Sequence, residues 1–342
     1  MKTIKGEIYF VREIEAGIYS PHTKIGLIED GENRTSLDRV GEHQTANPRK
    51  LAIVYNIKTE CVRAVETYLH RKYARLRGMG EWFQLDESSL DEAIHFCDQL
   101  SSRFAKEIAV LELSKNLKDK PSDGELITAS DESNQWFQKL VMHTSLLKEC
   151  NRIKASYEEL VREFESTGVD TTRNADIRTA AHEILNEKGF KEKYDELWRQ
   201  HTKEIVTISG KFVVGKIKKS EVDLVALFPE FNSLRERFTE ALNSGEDHSI
   251  RLDLVKGCYL ELLGFINEAN IEKDIAEAHL KVLCGVSDGI DGICKWKRTE
   301  ETTFKLDKQA LKANYPSEYK EFVTVSMVES FVAEKAQREV SQ

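Results

Sequence analysis

The runs GEIYFV (residues 6–11), TKIGL (23–27) and LAIVYNI (51–57) decide the fold of the first part of this 342-residue chain. The first two runs are rich in β-forming residues, and the segment between them contains Gly17 and Pro21. They predict an antiparallel hairpin with a long connection, which places Tyr9 near Lys24. The third run is almost continuously apolar and has the length of a central strand. The sequence therefore predicts a three-stranded antiparallel sheet.

Two helices are predicted around this sheet. In a helix over residues 36–44, Arg39 and His43 lie one turn apart on the same face. A second helix, over residues 59–77, has apolar side chains at steps of three and four residues, with Glu66 and His70 beside its apolar stripe. We therefore predict an α+β domain in which helices flank the sheet.

Taken in order, five pieces resemble the GIY-YIG nuclease superfamily: EIY (7–9), KIG (24–26), the Arg/His segment, VETYLHRKY (65–73) and EWF (81–83). The resemblance is to the phage and bacterial branch of the superfamily, whose second motif reads KIG. It implies a catalytic set that consists of Tyr9, Lys24, Arg39, His43 and Glu66. It also implies that Glu66 binds one divalent metal ion, Mg²⁺ or Mn²⁺, with water and phosphate oxygens completing the shell, as Mg²⁺ prefers.

Three of these assignments have alternatives. Arg34 is nearer the usual distance after the second motif, but Arg39 fits the distance back from the QTANP turn and has a histidine partner. His70 either lies near the phosphate or packs behind the metal-binding glutamate. The literal GIY at residues 17–19 would make Tyr19 the motif tyrosine, yet only four residues separate it from the KIG motif. That is too few for two paired strands.

The implied reaction is metal-dependent hydrolysis of DNA phosphodiester bonds by an endonuclease, in phage-related defence or DNA processing. Tyr9 would activate or orient water with the help of Lys24, because a phenol is a poor base unless a nearby cation favours its ionised form. Arg39 would bind the phosphate, His43 would relay a proton or orient the water, and Glu66 would hold the metal. The alternative is a nuclease fold that binds or assembles without cleaving, or that cleaves only when triggered.

Charge is distributed unevenly along the chain. The net charge is -9, but residues 1–85 hold 14 Lys and Arg against 11 Asp and Glu. The negative net charge argues against a protein that simply coats nucleic acid. The positive part of the chain is the nuclease-like part, and DNA is its expected partner. No window approaches the roughly 18 apolar residues that cross a membrane, so we expect a cytoplasmic protein. The six cysteines lack a CxxC pair and predict buried thiols.

A domain boundary is predicted at residues 115–125, which are polar and contain Pro121 and Gly124. A helix predicted over residues 89–113 leads into this linker. The nuclease-like domain therefore spans residues 1–114, and a mainly α-helical domain spans residues 126–342. The second domain is expected to position DNA, to regulate cleavage or to form a homo-oligomer.

Helical periodicity recurs after the linker, first in a long helix over residues 130–165 with coiled-coil character. Shorter helices are predicted over residues 175–186, 192–206, 234–243, 252–266 and 271–284, with a hairpin over 206–216. No internal repeat is recognised. Residues 292–322 slightly resemble the segment after the catalytic core of YqaJ-type phage recombination exonucleases, without their carboxylate cluster. Within it, two interpretations stay open, contact with nucleic acid and, as the favoured one, a packed strand with solvated basic neighbours, for Lys295, Trp296, Lys297 and Arg298.

Overall fold

The computed structural model describes residues 1–32, 34–45, 47–78, 80–171, 176–215 and 222–332. Its first part is an antiparallel sheet of four strands, one more than predicted, in the order β3-β1-β2-β4. The strands are β1 (Gly6–Glu15), β2 (Ile18–Glu29), β3 (Lys50–Thr59) and β4 (Trp82–Gln84). The fourth strand was missed because its three residues are too few to show an alternating pattern.

The connection between β1 and β2 is a two-residue turn, so the predicted long connection is wrong. Ala16 and Gly17 form this turn with φ values of 51° and 83°. Positive φ at both central residues is typical of hairpin turns that match the twist of the strands. The strands extend beyond the β-rich runs because their outer residues gain ladder hydrogen bonds that sequence patterns do not reveal.

Three helices cover the sheet: α1 (Ser36–Gln44), α2 (Val62–Lys72) and α3 (Glu87–Lys118). The alternation of β1 divides the core into two layers. Ile8 and Phe10 face the cluster built with α2 and α3, whereas Tyr9 and Val11 join a smaller cluster with Val40 of α1. The α3 helix continues through residues 115–118, which the sequence had placed in the linker.

The centre of the second part is a pair of long helices, α4 (Asp131–Ser166) and α9 (His248–Cys284). Trp136 stacks on His279 and Tyr157 contacts Tyr259, so the two helices run antiparallel. The short α7 (Leu224–Leu227) and α8 (Pro229–Leu242) pack beside them. We call α4, α7, α8 and α9 the helical body. No described helix is long and apolar enough to cross a membrane.

The helical predictions over residues 175–186 and 192–206 are wrong in part. The chain there forms β6 (Asp176–Leu185), α5 (Glu187–Lys193), α6 (Asp195–Gln200) and β7 (Thr202–Ser209). The two strands pair with β12 (Val323–Val332) and β11 (Thr299–Leu306), which follow much later in the sequence. A distant strand partner overrides local helix propensity, and a local pattern cannot reveal it.

The predicted hairpin over residues 206–216 is also absent from the described residues. Its first half belongs to β7, and β8 (Val213–Val214) pairs with β10 (Cys294–Lys295) instead. Lys216 lies outside the described residues. With β5 (Leu126–Ile127) and β9 (Gly289–Ile290), these strands form a small sheet in the order β5-β9-β10-β8.

The KWKR segment packs as predicted at Trp296, which is 1% exposed, but Arg298 is buried to the same degree. The guanidinium of Arg298 donates hydrogen bonds to the carbonyl oxygens of Leu117 and Gly285 and stacks on the indole of Trp296. All six cysteines are buried free thiols, as predicted. Arg298 is therefore a structural residue that joins the end of α3 to the end of α9.

An internal repeat is present, contrary to the sequence analysis. The order β6-α5-α6-β7 recurs as β11, α10 (Lys308–Asn314), α11 (Pro316–Glu321) and β12, with helices of equal length. Equivalent residues of the two repeats are separated by the same number of positions in the sequence. Four such pairs are Leu185 and Leu306, Phe190 and Leu311, Tyr194 and Tyr315, and Asn186 and Asp307. The first three pairs are buried or half-buried in one cluster.

Contacts between the two repeats are reciprocal, as in an isologous dimer. The amide of Asn186 donates to the carbonyl of Phe322 at 2.9 Å, and the amide of Asp307 donates to the carbonyl of His201 at 2.8 Å. Each first strand of one repeat pairs with the last strand of the other. The repeats therefore pack about a local twofold axis. Low sequence identity between them hid the duplication.

Candidate active site

The register of β1 and β2 fixes the first part of the candidate site. Tyr9 lies opposite Gly26, and Val11 lies opposite Lys24, so Tyr9 and Lys24 share one face of the sheet. The Tyr9 ring covers Gly26 so closely that a Cβ atom there would lie 2.5 Å from the tyrosine hydroxyl oxygen. The glycine of the KIG run is thus required by the position of Tyr9.

Helix α1 brings Arg39 and His43 to this face. The helix begins at a capping box in which Thr35 and Asp38 bond reciprocally, and this fixes the direction of its first turn. Arg39 lies close enough to the Tyr9 hydroxyl to lower its pKa, and it donates a hydrogen bond of 2.7 Å to a carboxylate oxygen of Glu42. The cation that contacts Tyr9 is therefore Arg39.

Burial and the Arg39 guanidinium shift the pKa of Tyr9 in opposite directions. Burial, reinforced by the charge of Glu81, raises the pKa of Tyr9 to about 12, although the Arg39 guanidinium lowers it. The phenol is therefore protonated at neutral pH in the metal-free protein. It can orient water by hydrogen bonding, but it is a weak base in this state.

The surroundings of His43 favour the neutral form of its side chain. Burial, with the nearby charges of Lys24 and Arg39, lowers the pKa of His43 below its usual value. Its Nε2 atom is buried and has no hydrogen-bond partner among the described residues. The imidazole is therefore neutral at pH 7, with a ring nitrogen available to accept or pass a proton.

Glu66 of α2 lies where β4 stops pairing with β2. The β4 ladder covers residues 22–24 of β2, and beyond it the amide of Ile25 donates to the carbonyl of Glu81. Burial, with a further contribution from Glu81, raises the pKa of the Glu66 carboxyl to about 8. In the described part of the chain, its side chain makes no hydrogen bond or ion pair with a protein group.

Glu81 is a site residue that the sequence analysis treated only as part of a closing motif. Its carboxylate forms an ion pair with the Lys24 ammonium, which is largely buried. Burial favours a higher pKa for Glu81, but the Lys24 charge and hydrogen bond outweigh it, so the net pKa is lowered. Lys24 therefore neutralises Glu81. The sequence offered one signal for Glu81: it is the only carboxylate of the EWF run, and it directly precedes β4.

The carboxylates of Glu66 and Glu81 fit a hydrated divalent cation. A divalent cation at this place would relieve the repulsion from Glu81 that helps to raise the pKa of the half-buried Glu66 carboxyl. Over the described ranges, no cluster of three or more His, Cys, Asp or Glu residues is suited to a metal ion. Few protein ligands and many waters are typical of Mg²⁺ sites.

The secondary candidates lie at different places. Arg34 is held by Glu32 and by Glu42, with a distance of 3.1 Å to the latter. His70 bonds the carbonyl oxygen of Ile25 through Nε2 at 3.0 Å and contacts the Phe83 ring. Burial lowers the pKa of His70 to about 4, so the neutral ring donates this bond. His70 thus supports β2 behind Glu66.

Tyr19, the tyrosine of the literal GIY run, is 47% exposed beside the hairpin turn. It lies opposite Ile14, five residues along β2 from Lys24. At about 3.3 Å per residue, it is on the order of 16 Å from the position of Lys24 along the strand. The structure does not bring Tyr19 to the other candidates.

Two arginines at the edge of the site were not singled out from the sequence. The charges of Arg63 and Arg77 both lower the pKa of Glu66, which places them around its carboxylate. Arg63 pairs with Glu29. The Arg77 side chain is exposed, donates to the carbonyl of Gly80 and lies 5.7 Å from the Phe83 ring, with no acidic partner among the described residues. Arg77 therefore acts on Glu66 and Glu81 through its charge without forming an ion pair among the described residues.

The N-terminal part is an α+β domain in which helices cover an antiparallel sheet. Residues 7–98 match the T5orf172 domain, which is GIY-YIG-like and nuclease-associated in phage. The matched range covers the sheet, α1, α2 and the first turns of α3. Comparison with curated proteins and with solved structures gave no match.

Proposed function

We propose that this protein is a metal-dependent DNA endonuclease of the GIY-YIG type. The observation that carries the proposal is that Tyr9, Arg39, His43 and Glu66 lie close enough together for their charges to interact. These four residues come from β1, α1 and α2, and each acts electrostatically on at least one of the others. Phosphodiester hydrolysis needs a phosphate-binding cation, a proton acceptor and a carboxylate for a metal ion.

Arg39 binds the scissile phosphate in this proposal. Its planar guanidinium presents several donors in a fixed geometry, which suits phosphate oxygens. Arg39 contacts Tyr9, whereas Arg34 is held between two carboxylates away from it. This geometry supports Arg39 over Arg34. Arg77 adds a further positive charge near Glu66.

His43 accepts the proton of the attacking water, directly or by relay, and Tyr9 orients that water. The free Nε2 atom of neutral His43 supports this role. Lys24 contributes by holding Glu81 in place through their ion pair, and its charge keeps His43 neutral. The role assigned to Lys24 thus changes from helping Tyr9 ionise to organising the acidic side of the site.

Glu66, with Glu81 beside it, would hold Mg²⁺ or Mn²⁺. The ion supplies neutralisation of the charge that develops on the leaving oxygen. Glu66 suits this task because the fold keeps it near, but not bonded to, the positive charges of the site. Its high pKa also means that metal binding releases a proton.

The helical body leaves this face open. Tyr68 and Arg71 of α2 contact Glu272 and Glu268 of α9, while Glu66 lies on another face of α2. No residue of the helical body is among the groups that perturb Glu66. We therefore propose that residues 126–342 position DNA, and that any self-association uses this region without covering the site.

The test is cleavage of supercoiled and linear DNA by the purified full-length protein with Mg²⁺ or Mn²⁺. Nicking should disappear with EDTA and fall at least about a hundredfold in Glu66→Gln. Asp91→Asn, an exposed carboxylate of α3, is the matched control and should cleave normally. Failure of the wild type to cut single- or double-stranded DNA with either metal would refute the proposal.

A further inference from the structure

Strands β7 and β11 form a two-stranded ribbon, and Phe304 on one of its faces packs against Trp198 of α6. Seven of the eight residues of β11 are exposed, and the two strands contact mainly each other. Isolated two-stranded ribbons are only marginally stable in water, so a partner is expected to add stability. The ribbon joins the duplicated helical unit at one end to the small sheet at the other.

The two faces of the ribbon have different chemistry. The pairing is continuous from Thr299 with Ser209 to Leu306 with Thr202, so odd-numbered residues share one face. That face carries Lys203 opposite Lys305, followed by Ile205 with Thr303 and Thr207 with Glu301. The other face carries Glu204, Glu300 and apolar side chains. Positive charge is therefore concentrated on one face.

Lys203 and Lys305 are an unusual pair. Like charges directly opposite each other destabilise a ribbon. Neither lysine has an acidic partner among the residues that the structure describes. A bound anion would remove this repulsion.

The equivalent positions in the β6–β12 ribbon show that the fold does not need these lysines. By the offset of the repeat, Lys203 corresponds to Thr324 and Lys305 to Ile184, which also lie opposite each other. The second ribbon forms with a neutral pair in the same place. The lysines of the first ribbon are therefore a local addition to a shared framework.

A groove of about 1120 Å³ lies along this face, between the ribbon and the start of α10. Three lysines line it against two acidic residues, and hydroxyl groups lie between them: Lys203, Lys305, Lys308, Glu187, Asp307, Thr207 and Thr303. Lys308 is already paired with Glu187 at 2.7 Å, which leaves the cross-strand lysines as its free cations within the described residues. Lysines and threonines are common donors to DNA phosphates.

We propose that this face of the β7–β11 ribbon is a second DNA-binding surface, on which Lys203 and Lys305 contact phosphates of duplex DNA. A two-stranded ribbon has the dimensions that the major groove of B-DNA accepts. The choice of DNA rests on the proposed nuclease function, whereas the cationic groove does not. The ribbon holds the duplex at a distance from the cleavage site and contributes affinity without touching the scissile bond.

The experiment measures binding of a fluorescent DNA duplex to full-length protein over a range of salt concentrations. Lys203→Gln/Lys305→Gln is compared with Lys106→Gln/Lys320→Gln, two exposed lysines elsewhere. EDTA is present so that cleavage does not interfere. Loss of two phosphate contacts should reduce the slope of log K against log salt by about 1.8, and the control should keep the wild-type slope.

Three outcomes separate the possibilities. A reduced slope supports the surface even if the wild type fails to cleave DNA, in which case only the nuclease proposal falls. An unchanged slope in a protein that does cleave overturns the surface and leaves the nuclease intact. Unchanged DNA binding with lost binding of poly-glutamate would also overturn it, because the groove would then take an acidic polypeptide.

Discussion

Replacing Glu66 with glutamine removes a carboxylate that the metal-free fold disfavours. Burial and Glu81 raise its pKa from 4.5 to about 8. Because one pKa unit corresponds to about 1.4 kcal/mol, this shift sets an upper limit of roughly 5 kcal/mol on the cost of the ionised form. The Glu66 side chain retains partial exposure, which lets water screen the charge, so we expect about 2 kcal/mol.

The sign of the pH dependence follows from the raised pKa. At about pH 4, the carboxyl is mostly protonated in the folded and the unfolded chain, and the variant should equal the wild type. As pH rises through the interval between 4.5 and about 8, the unfolded chain ionises first, so the wild type loses stability. Above that interval Glu66→Gln should be the more stable protein by the full amount.

Metal ions should reverse this order. At a free Mg²⁺ concentration of about 100 times its dissociation constant, binding adds roughly 2.7 kcal/mol to the wild type and little to the variant. The assay is urea denaturation followed by tryptophan fluorescence, with and without Mg²⁺, and with Asp91→Asn as the control. Parallel stability curves for wild type and Glu66→Gln at every pH would refute the buried-carboxylate reasoning.

Three further predictions concern the neighbours of Glu66. Gly26→Ala should displace the Tyr9 ring, because the new Cβ would lie 2.5 Å from its hydroxyl oxygen; we expect about 1–3 kcal/mol of destabilisation, measured by urea denaturation, and loss of cleavage. Arg77→Ala should weaken DNA binding and cleavage with an unchanged melting temperature, since its charge has no acidic partner to lose among the described residues; a large fall in melting temperature would contradict this. His43 should give kcat/KM an acid limb below the usual histidine pKa, because burial lowers its pKa and the base must be neutral. The same limb in His43→Asn would show that another group titrates there.

The sequence predicted the relative positions of the candidate residues better than it predicted the second half of the fold. Tyr9 and Lys24 were expected to be neighbours, and the β1–β2 register puts them on one face. Helical spacing placed Arg39 beside His43, as the capped helix α1 does. These relations depend on strand alternation and helix pitch, which are local and therefore visible in a single sequence.

The role of each neighbour required the structure. Arg39 rather than Lys24 contacts Tyr9, because α1 folds over the sheet at an angle that no spacing rule gives. Glu81 reaches the site because β4 pairs with β2, a contact of short, distant segments. The ion pair between Glu81 and Lys24 then decides which charged side chains of the site remain free to bind substrate.

By itself, the sequence determined the local elements of the N-terminal domain and the candidate residues that they carry. Only the tertiary structure decided the fourth strand, the long-range pairs β6–β12 and β7–β11, and the repeat that they join. Strand pairing is a contact between segments far apart in the chain, and its free energy depends on the residues of both strands. The segments that form β6 and β7 were predicted as helices when read alone, and pairing with β12 and β11 makes them strands.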